Sequence, residues 1–163
     1  RRLIRQHHRS AEPMAVPGAA RRVDRLSGGA VAELVGRVAA GEVADCLRML
    51  TVTVIDVVDL GGESVVHEVL TQWREQGRVS PATRSQLAAV MTRHEVDAAF
   101  AHRSSDIDAQ RLSFIKARAL QCLSIAIDSA VGPTERLGEA SYEAAAAMGG
   151  TAGVVAVLVE FAG

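Results

Sequence analysis

The sequence predicts an all-α domain, a bundle or stacked array of about six to seven antiparallel helices. Three observations carry this. Glycine and proline positions cut the chain into segments of helical length, most of them opened by a residue able to cap a helix. The connections between segments are about two to four residues, which makes consecutive helices antiparallel neighbours. Apolar residues are 48% of the 163 residues but aromatic ones only 3%, so the core is made of Ala, Val, Leu and Ile and lets helices approach closely. A chain of this length fits one domain with a substantial core.

Residues 1–26 read as a basic arm, flexible in part. They hold seven Arg against two acids (Glu12 and Asp24), a charge of +5 in a chain whose overall charge is −1. Pro13, Pro17 and Gly18 interrupt the arm, and Met14 offers an alternative start within it. Such an arm is either a solvated tail or a contact for an acidic partner or nucleic acid. No aromatic residue interleaves with the arginines, so a base-stacking surface is not indicated.

The helical domain is expected over 27–163. Ser27 can cap a helix to Ala40, which Gly41 ends. A segment from Glu42 to Leu60 precedes Gly61-Gly62, and another from Glu63 to Gln76 precedes Gly77. Ser80-Pro81 is a strong helix start, and that helix should reach about His102. Ser104 or Ser105 can cap the next, from Asp106 to Val131. This element looks central, because Ile107, Ile115, Leu120, Leu123, Ile125 and Ile127 cover most of its circumference. Gly132-Pro133 stops it, Thr134 can cap a helix to Met148, and Thr151 opens a last segment to Ala162.

The segment "LTVTVIDVV" is ambiguous. Its β-branched density suits a strand, and with "GVVAVLVEF" it allows an alternative α/β fold with a small sheet using 50–58 and 153–161. Two strands alone make a marginal sheet. As a helix, the segment places Asp45, Arg48, Asp56 and Asp59 in one sector, with Val52 the intruder. That narrow polar stripe favours a helix buried on most sides.

Chemical motifs are few. The chain has no phosphate-binding glycine loop, no CxxC and no HExxH. Cys46 and Cys122 lie in apolar segments and read as buried free thiols of a cytoplasmic protein. "RRLIRQ" opens on an arginine pair like a twin-arginine export signal, but the apolar region such a signal needs does not follow, and no apolar run is long enough for a membrane span. Asp56, Asp59, Glu63 and His67 would share one side only if a helix ran through Gly61-Gly62, and their spacing does not match a carboxylate di-metal motif. No metal or cofactor is therefore expected. "TRSQLAAVMTRHEVDAAF" lacks the turn glycine of a helix-turn-helix. "LVGRVAAGE" is similar to the first helix of the cap of cobalamin-binding proteins. Arg84-Ser85 stands where that group has Glu-His, so no function transfers.

The remaining candidates are side chains on helix faces. Arg111 and Arg118 share a side with Ile107 and Ile125, placed to pair with Asp56 or Asp59 or to hold an anion. His94 sits on an apolar face with Leu87, Val90, Met91 and Ala98. A pocket joining Arg111, Arg118, His94 and Trp73 would suit a ligand-sensing domain of a regulatory protein. The last segment spreads Val154, Val155, Val157, Leu158 and Phe161 over more than half its circumference. A homodimer with Leu158, Phe161 and Val154 at the contact is the expected cover, with another protein or a further segment of the same chain as the alternatives. The functional expectation is thus a non-enzymatic, self-associating interaction domain. A ligand sensor and a small all-α enzyme with a site between helices are the alternatives.

Overall fold

The computed structural model describes residues 22–163, and residues 1–21 of the basic arm lie outside them. Seven α-helices follow a first 3₁₀ segment: α1 (Ala30–Arg37), α2 (Val43–Val58), α3 (Ser64–Gln76), α4 (Pro81–Arg103), α5 (Ile107–Ala126), α6 (Pro133–Met148) and α7 (Ala152–Phe161). Connections of three to six residues join them. Among the described residues there is no strand. The only β pairing there is a single bridge, Val38 to Ala162, which joins the ends of α1 and α7.

Several boundaries differ from expectation for local reasons. The 3₁₀ segment Arg22–Gly29 breaks at Leu26, and Ser27, Gly28 and Gly29 all take positive φ. Gly29 therefore occupies the N-cap of α1, and the Ser27 hydroxyl hydrogen-bonds Thr151 instead, at 2.9 Å. Arg22 and Val23, counted with the arm, belong to the fold, since Val23 is buried. The α5 cap is Asp106, whose Oδ1 accepts from the Ala109 N–H at 3.1 Å, rather than Ser104 or Ser105. α5 stops at Ala126, five residues early, where Asp128 turns its carboxylate to the Ala130 N–H. Gly132 takes the N-cap place expected for Thr134, and Pro133 fills the first turn.

"LTVTVIDVV" is helical. Its threonines are accommodated because their hydroxyls donate to carbonyls one turn back, Thr51 to Leu47 and Thr53 to Met49, both at 2.7 Å. The expected polar stripe of Asp45, Arg48, Asp56 and Asp59 is exposed, with Val52 among them. Met49 and Val57 are exposed as well, so α2 is buried on one face rather than most. Asp59 closes the helix in the left-handed region, and Leu60 N–H returns to the Ile55 carbonyl. Asp56, Asp59, Glu63 and His67 therefore do not line one helix.

The central element is α6, not α5. α6 packs against α1, α2, α5, α7 and the first 3₁₀ turn. Its buried Gly138, Ala140, Ala144, Ala145 and Ala147 make it narrow enough to be surrounded. At Gly138 an added Cβ would lie 3.4 Å from Val23 Cγ1. α5 joins this core only from Ile115 onward, and α3 packs on α4 at the periphery. No helix among the described residues is long and apolar enough to cross a membrane.

Candidate functional site

The α4–α5 hairpin leaves the core. The buried residues of α4, Thr83, Leu87 and His94, all fall in its first fourteen positions, and those of α5 begin at Ala117. From Glu95 to Lys116, twenty-two residues, no side chain is buried. α4 runs nine residues past His94, a projection of about 14 Å at 1.5 Å per residue. Half-buried positions here are mostly small (Ala98, Ala101, Ala109, Ser113), which lets the two helices lie close. The larger apolar chains are left outside. Phe100 and Ile107 are 65% and 67% exposed, and Val96, Leu112 and Phe114 are exposed as well.

On α5, Ile107, Arg111, Phe114 and Arg118 fall within about 60° of the helix circumference. The first three, with Gln110, line a shallow depression of about 250 Å³. Arg111 makes no ion pair among the described residues and stays solvent-exposed. The Arg118 guanidinium lies 5.2 Å from the Phe114 ring centroid and pairs with Glu143 Oε2 at 3.2 Å. Its carboxylate partner is therefore on α6, and Asp56 and Asp59 remain at the surface.

Glu143 is 1% exposed and has a second cation: Arg22 Nη1 lies 3.0 Å from Oε1. Arg22 also pairs with Glu139 at 2.9 Å and lies over the Tyr142 ring at 4.4 Å. The hydrogen bond to Glu139 and the charges of both carboxylates hold the Arg22 guanidinium above its ordinary pKa. A lone Glu within the "EAAAAM" run was the available signal for this buried charge.

The other expected site residues lie apart from this stripe. His94 is buried on the face expected for it, its Nε2 3.5 Å from Glu63 Oε1, which is too long and poorly aligned for a hydrogen bond. Glu63 also pairs with Arg93 at 3.3 Å. Trp73 is buried on α3 beside Arg48, 5.8 Å from its ring centroid. The clefts lined by Trp73 share no residue with the depression at Arg111. Val154 and Leu158 are fully buried within this chain, so they offer no surface to a second copy. α7 disposes of its wide apolar surface by packing on α1, α2 and α6 together, and Phe161 is only half-buried. Substituting Leu158 would therefore report on folding and not on association.

Both cysteines are free and buried. Burial and the Glu42 charge push the Cys46 thiol up to about 11, and burial and the Glu143 charge push Cys122 up to about 12. Neither is a nucleophile at neutral pH. No group of three or more His, Cys, Asp or Glu among the described residues is placed to hold a metal ion. Compared with known proteins, the chain matches no family model, no curated protein sequence and no solved structure.

Proposed function

We propose that this chain is a helical interaction domain that self-associates through the α4–α5 hairpin. The observation carrying this reading is the projecting stretch 95–116, which has no buried side chain yet displays Phe100, Ile107 and Phe114. Burying one such side chain stabilises an interface by about 1.5–3 kcal/mol. A second copy is the partner that fits best. The stretch carries Glu95, Asp97, Asp106 and Asp108 against Arg103, Arg111 and Lys116, a nearly balanced mixture that can complement itself about a two-fold axis. Its twenty-two residues match the roughly 20–30 that each side contributes to a standard interface.

Sedimentation equilibrium over a wide concentration range tests the reading. The wild-type chain should be dimeric. Phe100→Asp and Ile107→Asp should each give a monomer with unchanged helix content, because both side chains are solvent-exposed in the single chain. A wild-type monomer at high concentration, or a dimer that survives both substitutions, refutes it.

A further inference from the structure

The cleft between α2 and α3 has a different chemistry. α2 packs into the core and α3 onto α4, and where the two part, Arg48, Val52, Leu70, Trp73 and Arg74 line a cleft of about 220 Å³. A second cleft, of about 180 Å³, shares Arg48 and Trp73 with it and reaches Leu47, Pro133 and Arg136. Each is smaller than an ordinary ligand pocket of about 300–1,000 Å³, so either takes only a small ligand.

The walls and the rim differ in kind. Val52, Leu70 and Trp73 supply an apolar surface, and Trp73, only 7% exposed, is a fixed wall. The rim groups are guanidinium groups, which only donate hydrogen bonds. Among the described residues their nearest carboxylates are poor partners: Asp45 lies 3.9 Å from Arg48 and Glu75 lies 3.8 Å from Arg74, beyond hydrogen-bond distance, and both acids are largely exposed. The rim donors are thus available, and Arg48 is held near the cleft by its position over the Trp73 ring.

We propose that this cleft binds a small amphipathic carboxylate. The apolar tail lies against Val52, Leu70 and Trp73, and the carboxylate accepts from Arg48 and Arg74. The larger cleft has the volume of about seven water-sized groups, which suits a tail of medium length. A cation of the same shape would meet two positive charges and no acceptor side chain on the lining.

Trp73 is the chain's only tryptophan, so its fluorescence reports on this site alone. Titration with octanoate should give a saturable change, and titration with octylammonium should not. Arg48→Gln/Arg74→Gln, at two exposed positions, should weaken octanoate roughly tenfold or more. Arg111→Gln, on the hairpin, should leave it unchanged. No saturation by about 10 mM overturns the proposal. So does an equal response to octylammonium, or unchanged affinity in a double-arginine variant whose circular dichroism is native. The cleft is separate from the hairpin, so either outcome leaves the self-association reading standing.

Discussion

Glu143 is the point where one charge has most to lose. It is 1% exposed, while its partners Arg22 and Arg118 are 48% and 32% exposed. The arginines can turn to water, and the carboxylate cannot. Arg22→Gln alone should cost about 1 kcal/mol or less, because Arg22 is half in solvent and Arg118 remains. Arg118→Gln alone should cost about 2 kcal/mol, the value of a charged hydrogen bond and a partly exposed contact with Phe114. The double variant strands the carboxylate in the interior and should cost more than the sum of the two, up to about 5 kcal/mol. At about 2–4 °C per kcal/mol for a chain of this size, that lowers Tm by about 6–20 °C. Glu143→Gln should cost less than the double variant, because it leaves two cations that can reach water. Denaturant unfolding of the four variants, followed by circular dichroism, measures the coupling. Strict additivity of the two arginine substitutions, or a double variant within 1 kcal/mol of wild type (about the value of a surface pair), would falsify the argument.

Two further predictions concern the helix caps and the thiols. Asp106→Ala should destabilise the chain by about 0.5–2 kcal/mol in denaturant unfolding, and Ser104→Ala and Ser105→Ala should not, because only the Asp106 side chain caps α5. Unfolding exposes Cys46 and Cys122, whose ordinary pKa is 9.0, while the folded chain holds their protons to about 11 and about 12. The stability they confer is complete below pH 9 and is lost as pH rises through that window, by about 1.4 kcal/mol per thiol per pH unit. A Cys46→Ala/Cys122→Ala variant should show a flatter profile over this range. Parallel profiles for the variant and the wild type would contradict the burial of the thiols.

Local signals were readable wherever a residue acts on its own backbone. Ser80-Pro81 opens α4 and Gly77 closes α3, because capping and left-handed φ depend on the residue at the site. Ser27 misled for the same kind of reason: a serine can cap, but here its hydroxyl meets Thr151, 124 residues away. Periodicity identified α2 as a helix against its β-branched composition, since the charges of one face follow the helical repeat. The apolar faces of α5 and α7 were visible too, yet their fates are opposite. Ile107 projects into solvent at 67% exposure, and Leu158 is fully buried. Nothing within either helix distinguishes these outcomes.

Helix content, most helix limits and the burial of Cys46, Cys122 and His94 thus follow from the sequence by itself, because they depend on neighbours within a few turns. Tertiary structure alone decided that alanine-rich α6 is the centre, that Arg118 meets Glu143, that α7 is covered by three helices, and that Trp73 stands beside Arg48. Each of these depends on which helices stop short and which run on. α4 and α5 outrun the core by about 14 Å, so an apolar stripe that would be interior in a shorter hairpin becomes surface. Burial is a property of what lies opposite a side chain, and the chain's own periodicity does not specify that.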